Sequence, residues 1–262
     1  REITFRAAAE GTGRSLAIER CDRYYEHLFL WNNSTSEVVG AYRIGRTDRI
    51  LRWLGPKGLY TSKLFDYKSE LFERLSPALE LGRSFIRPEY QRRHNALILI
   101  WKGILRYVVR NPECHVLFGA VSTSREYLVI SKDIIMEFLQ QHQLDHTLAR
   151  FVKARNPPHP PRFRSLDRES IRTGLRGVRD LSSLISAMES DHKGVPILLK
   201  HYLRLNAVIL SFNVDKDFGS VMDSLVVVDL LRSDPRIIRR YMGKEGAASF
   251  YAYHAAKQPT GV

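Results

Sequence analysis

Hydrophobic and polar positions alternate through the first third of the chain at the two-residue period of half-buried strands. His27 to Trp31 and Val38 to Ile44 carry this pattern on either side of the polar run Asn32-Asn33-Ser34-Thr35-Ser36, which predicts a β-hairpin. A short extended segment is expected at Glu2 to Arg6. After the irregular stretch Gly55-Pro56-Lys57-Gly58, a short helix over Tyr67 to Leu75 should end before Pro77. Ala78 to Ile86 reads as a strand, with Leu79, Leu81, Arg83 and Phe85 on one face and Glu80, Gly82 and Ser84 on the other. Gly82 in its middle predicts a bulge or a close backbone approach.

The period changes after the polar turn Arg87 to Arg93. Leu97, Trp101, Ile104, Leu105 and Val108 recur at helical spacing, predicting a helix over Asn95 to Arg110 that Asn111-Pro112 stops, with this stripe facing the core. His115 to Val121 reads as a buried strand and Lys132 to Gln141 as another helix. Residues 154–165, with four prolines and three arginines, form a loop that need not pack. Leu181, Leu184, Ile185 and Met188 then mark an amphipathic helix. Val195-Pro196 opens the next, with proline where its missing N–H costs nothing. Ala207 to Phe212 and Leu225 to Leu230 are strands. Asp234-Pro235 starts a last helix, for which Gly243 is the expected stop. Strand, basic turn, helix, strand and helix in succession predict an α/β layer architecture.

Composition narrows this picture. The 262 residues, 44% hydrophobic and 26% charged, suffice for a real core. The longest apolar run, Ala96 to Leu105, is broken by Lys102 and is about half of the roughly 20 residues a spanning helix needs, so no membrane crossing is expected. The chain starts at Arg1 with no leader pattern, and it reads as one domain over residues 1–262 excised from something longer, with a basic Pro/Arg-rich insertion or loop at 154–180. Cys21 and Cys114 have no metal or redox spacing, which fits a reducing compartment and small buried thiols rather than nucleophiles; no metal site is expected. The formal charge of +13 is concentrated: residues 150–179 hold nine Lys/Arg against Asp167 and Glu169. Such a segment attracts nucleic acid, an anionic bilayer or an acidic protein, and charge alone does not choose among them.

Candidate chemistry gathers in Ala78 to Trp101. A strand feeding a turn and then a helix presents free backbone N–H groups, and these with Arg87, Arg92 and Arg93 make an anion site suited to a phosphate. The run Glu80-Leu81-Gly82-Arg83-Ser84-Phe85-Ile86-Arg87-Pro88-Glu89-Tyr90-Gln91 resembles the fourth strand and acyl-donor turn of the ornithine-acyl carrier protein N-acyltransferases, a GNAT-like family. Asp22 with His27-Leu28, and Val38 to Arg43, resemble that family's early strands. Leu117-Phe118-Gly119 resembles its fifth strand, and Val195 to Leu205 with Phe212 to Phe218 its C-terminal half. The tail Asp229 to His254 is similar to a subgroup in which this domain follows a glycerolipid O-acyltransferase domain, whose His-to-Asp signature this chain lacks.

The resemblance implies an α/β GNAT-like fold: a mixed, mostly antiparallel central sheet flanked by helices, with a bulged fourth strand. It implies transfer of a (3-hydroxy)fatty acyl group from acyl carrier protein to the amine of an amino acid, ornithine or else glycine or lysine, giving a lyso-aminolipid at the cytoplasmic side of the inner membrane. An α-ammonium with a pKa near 8 must lose a proton before it attacks a thioester. Glu80 is the expected base, its alternative being a structural ion pair with Arg83 or Arg43. Arg83 and Arg43 are expected on the substrate carboxylate or in a strand-to-strand salt bridge, and Asp22 with His27 as a base-orienter pair beside them or a satisfied structural histidine. Ser84, Phe85, Ile86, Arg87, Arg92, Arg93, His94 and Asn95 are expected to bind the acyl donor, and Phe85, Phe118 and Phe212 to line an acyl channel. Backbone N–H donors near the bulge would hold the oxyanion. Where coenzyme A-dependent relatives commonly have glycines, this turn has Arg93-His94-Asn95. That favours the acyl-phosphopantetheine arm of acyl carrier protein over coenzyme A, with no resident cofactor. Lys200, His201 and Arg204 face either the acceptor or carrier protein, or solvent. Two non-enzymatic readings compete: a nucleic-acid module carried by residues 150–179, disfavoured because its aromatics are not regularly interleaved, and a membrane-surface adaptor.

Overall fold

The computed structural model describes residues 18–91, 95–161 and 173–257. A six-stranded sheet runs in the order β1 (Glu26–Asn32), β2 (Glu37–Arg46), β4 (Ala78–Ile86), β5 (Val116–Thr123), β8 (Val221–Asp229), β7 (Val208–Asp215). Every neighbouring pair is antiparallel except β4 and β5. A separate two-stranded ladder joins β3 (Phe65–Tyr67) to β6 (Val152–Ala154). The connecting helices are α1 (Thr47–Leu54), α2 (Ser69–Leu75), α3 (Ala96–Arg110), α4 (Val129–His142), α5 (Val178–Met188), α6 (Ile197–Arg204) and α7 (Pro235–Lys257). The mixed, mostly antiparallel sheet flanked by helices is the architecture anticipated from sequence.

Alternation along the central strands buries both faces of the sheet. Leu79, Leu81, Leu117, Val121, Val226 and Val228 enter the core built with α3, α4 and α7, where Trp101, Ile104, Leu105 and Val108 are fully enclosed. Ala78, Val116, Phe118, Leu225 and Val227 enter a second core with Tyr25, Phe65 and Phe72 on the other face. The strand at Ala78–Ile86 and the stripe of α3 therefore match the sequence reading.

Three expectations are corrected, and three segments fall outside view. The helix foreseen over Tyr67 to Leu75 begins at Ser69, because Phe65–Tyr67 is held extended by β6. Gly243, with φ 80°, interrupts α7 rather than ending it, and the helix resumes to Lys257. The bulge lies one residue beyond Gly82: Ala41 pairs with Phe85 while Arg43 pairs with Gly82, and Arg83 takes the left-handed φ of 50°. Glu2 to Arg6, Arg92 to His94 and residues 162–172 of the basic segment lie outside the described residues.

Beta strands four and five then part. Their parallel pairing runs only from Ala78–Val116 to Glu80–Phe118. Beyond it, β4 stays with β2 as far as Ile86 and β5 with β8 as far as Thr123. Gly119 sits at the fork, where an added Cβ would lie 2.2 Å from the Leu81 carbonyl oxygen, so only glycine permits this close approach.

Candidate active site

The fork opens a cleft with two lobes. The inner lobe, about 220 Å³, is walled by Gly82, Arg83 and Ser84 of β4, Ala120 and Ser122 of β5, and Leu198 of α6. The outer lobe, about 560 Å³, adds Glu19, Arg20, Lys63 and Asp217. Tyr60, Leu64, Arg83, Asp215 and Phe218 line both lobes, so the two adjoin.

One carboxylate organises the cations at its rim. Glu19 accepts two bonds from Arg83, Nε and Nη2 each at 2.9 Å, one from Arg43 Nη1 at 2.9 Å and one from Lys63 Nζ at 2.9 Å. Burial pushes the Glu19 carboxyl up, but these three cations outweigh it and hold the group well below the ordinary carboxylate range. Arg43, 1% exposed, also bonds Asp22 at 2.9 Å. Its buried Nε and Nη2 have no hydrogen-bond partner among the described residues, and its guanidinium lies over the rings of Tyr25 and Tyr60 at 5.1 and 4.8 Å. Arg83 lies over Tyr60 and Phe218 at 5.1 and 4.5 Å.

Glu80 is 1% exposed and lies behind Tyr60 rather than on the cleft wall. Its Oε1 accepts the Thr61 N–H at 2.7 Å; its Oε2 accepts the Tyr60 N–H at 3.0 Å and the Tyr25 hydroxyl. A carboxylate with three donors of this kind anchors the Tyr60–Thr61 turn that forms the cleft edge. It is bonded to neither Arg83 nor Arg43; both arginines converge on Glu19 instead. Arg83 reaches the cleft, whereas Arg43 is enclosed beneath it.

The other anticipated residues separate. Ser84 lines the inner lobe. Phe85 packs beside Phe218 and Val221, while Phe118 and Phe212 are core side chains, so none of the three borders the cleft. Ile86 packs against the α3 core and its carbonyl accepts from Gln91 at 2.9 Å. Arg87 pairs with Glu37 and Glu89. Asn95 takes a left-handed φ of 46° as the N-cap of α3; Arg92, Arg93 and His94 lie outside the described residues. The exposed His27 imidazole meets the Asp22 main-chain carbonyl at 3.1 Å but stands 4.0 Å from the Asp22 carboxylate, which is committed to Arg43 and the Glu19 N–H. His201 is 6% exposed between Trp101 and Tyr241, whose hydroxyl lies 2.8 Å from its Nε2, and burial pushes its pKa down to about 4. Burial likewise raises both thiols, Cys114 to about 11.

Sequence reasoning missed Glu19, Tyr60, Lys63 and Asp223 as site residues, and passed over Asp215 within a segment it had marked. Asp223, 3% exposed, lies deep in the inner lobe and accepts the Ser122 hydroxyl at 2.7 Å. No short motif joins these positions; the fork assembles them from four chain segments.

Residues 1–102 match the family described as an acetyltransferase (GNAT) domain. Relatives extend the likeness over most of the chain. A glycine N(alpha)-acyltransferase from Bacteroides thetaiotaomicron is 29% identical over 90% of this chain and 74% of its own length. One of the same name from Phocaeicola vulgatus is 28% identical over 90% of this chain and 76% of its own. An L-ornithine N(alpha)-acyltransferase from Brucella abortus is 28% identical over 92% of this chain and 83% of its own. The chain is an acyltransferase, and its likeness to the GNAT domain lies in residues 1–102. No solved structure matches this acyltransferase significantly. Among its described residues, no helix is long and apolar enough to cross a membrane, and no group of three or more His, Cys, Asp or Glu is placed to hold a metal ion.

Proposed function

We propose that this acyltransferase moves an acyl group from a thioester onto the α-amine of an amino acid, glycine or ornithine. The observation that carries the reading is the mixed lining of the outer lobe: Arg20, Lys63 and Arg83 beside Asp215 and Asp217. A zwitterionic amino acid offers a carboxylate to the first group and an ammonium to the second. The inner lobe, between the parted strands, takes the thioester; unpaired edges of β4 and β5 there supply backbone donors to its carbonyl as charge develops. Both acceptors are supported by the likeness to a glycine and an L-ornithine N(alpha)-acyltransferase.

The donor is an acyl group, 3-hydroxylated or plain, carried by acyl carrier protein, and the product is a lyso-aminolipid. Two features support a carrier-borne donor. The sequence Arg93-His94-Asn95 lacks the glycines that wrap a pyrophosphate. A basic groove of about 790 Å³, with Arg176, Arg179, Lys200 and Arg204 along it and Asp180 among them, offers a complement to an acidic carrier. The same cations and the apolar product suit peripheral contact with an anionic membrane. The test is a panel of amines incubated with the purified chain and acyl carrier protein or coenzyme A thioesters, read by mass spectrometry. Amide with glycine or ornithine is the expected result, formed faster from the carrier and slowed by salt. No amide with any amine would overturn the proposal.

A further inference from the structure

The N-acylation reading needs a group that takes a proton from the incoming ammonium, and five carboxylates lie in or next to the cleft. Glu19 is fully engaged by Arg83, Arg43 and Lys63, which hold its carboxyl well below the ordinary range and make it a poor base. Glu80 is walled off behind Tyr60 by its three donors. Asp223 is deep in the inner lobe with Ser122. Asp217 is exposed on the outer rim.

Asp215 differs from all four in position. It ends β7, lines both lobes and is half-buried, so it stands where an acceptor in the outer lobe meets a thioester in the inner one. Its Oδ1 accepts the Asp217 N–H at 3.0 Å as the cap of the turn Lys216–Phe218. That bond fixes the carboxylate. Burial raises its pKa above the usual aspartate value, opposed by the Asp217 N–H and by the charge of Arg83, which strengthens it as a proton acceptor while keeping a cation nearby for the ionised form.

We propose that Asp215 is the catalytic proton acceptor for the amine, in place of Glu80; this role rests on the N-acylation reading. The ammonium gives one proton to Asp215, and the freed lone pair forms the C–N bond at the thioester carbonyl. As the C–S bond breaks, the nitrogen gives its second proton, which ends on the departing thiolate. The third stays on the amide, and Asp215 returns its proton to solvent.

Asp215→Asn tests this, because asparagine is an equally good cap and keeps the turn. Parent and variant are assayed with the preferred amino acid and with its aminooxy analogue, aminooxyacetate in the case of glycine, whose nitrogen is already uncharged at neutral pH. The expected result is kcat lower by about 10²-fold with the amino acid, with KM nearly unchanged, and a loss of less than about threefold with the aminooxy compound. Equal losses with both nucleophiles would assign Asp215 a structural role, and no loss with either would remove it from the reaction; both overturn the proposal. So would the same nucleophile-dependent loss appearing in Glu80→Gln or Asp223→Asn instead. A parent enzyme that acylates no amine overturns the N-acylation reading itself, which is a failure seen before any variant is made.

Discussion

Replacing Glu80 by glutamine separates an anchoring carboxylate from a catalytic one. In the native protein its oxygens accept from the Thr61 N–H at 2.7 Å, the Tyr60 N–H at 3.0 Å and the Tyr25 hydroxyl, all inside the protein. Glutamine keeps one oxygen for Thr61. Its amide nitrogen then faces Tyr25, whose hydroxyl must turn to accept, and the Tyr60 N–H is left to the Tyr25 oxygen, already 3.0 Å away. The fold survives, but charge assistance is lost from bonds that contribute about 1.5–3 kcal/mol each when charged and about 1 when neutral. The expected destabilisation is about 2 kcal/mol, or a fall in Tm of about 6 °C for a chain of this size. Urea unfolding should show a lower midpoint at unchanged slope. Turnover measured well below the new Tm should fall by less than about tenfold, with the shape of its pH profile retained. An unaltered Tm combined with a loss of about 10²-fold and a displaced acid limb would refute the anchoring role and return Glu80 to the chemistry.

Three further outcomes follow from the fork and its surroundings. Gly119→Ala drives a methyl to 2.2 Å from the Leu81 carbonyl, and because backbone must move, a loss of about 3 kcal/mol is expected; a Tm within about 2 °C of the parent would show that β4 and β5 are not in this close contact. Glu19 has its folded pKa depressed, so its stabilisation is present above its ordinary value of 4.5 and is lost as pH falls below it; Glu19→Gln should flatten the acid side of a stability-versus-pH curve, and parallel curves would contradict the cation hub. His201, lowered to about 4 by burial, should stay neutral from about pH 5.5 to 8 in an NMR titration, and a midpoint near its usual 6.5 would contradict its placement between Trp101 and Tyr241.

Local pattern carried the fold further than the site. The strand Ala78–Ile86 and the buried stripe of α3 are visible because alternation and helical spacing each repeat within one short window. Tyr67 was misassigned because its extended state depends on β6, far along the chain, and no periodicity records a distant partner. Glu80 was legible as a charged residue in a core strand that must find partners. The partners proved to be backbone N–H groups of Tyr60 and Thr61, which every sequence contains and none marks. Glu19, Lys63 and Asp215 meet only because the fork brings their segments to one place.

The displaced bulge connects these observations. In strict alternation Arg83 follows Leu79 and Leu81 to the face packed on α3, where an unpaired guanidinium would be prohibitively desolvated. The additional residue opposite Tyr42, accommodated by the left-handed φ at Arg83, reverses that direction. Its side chain now lies over Tyr60, on the side that Glu80 supports from beneath. An arginine in a left-handed conformation costs of order 1 kcal/mol. The two bonds to Glu19 and the rings of Tyr60 and Phe218 offset it. The insertion lies in the pairing with β2 and follows the point, after Glu80, at which β4 leaves β5. One backbone irregularity thus turns a cation into the cleft just where the strands have parted, so the segment that resembles the acyl-donor turn is also the segment where alternation fails.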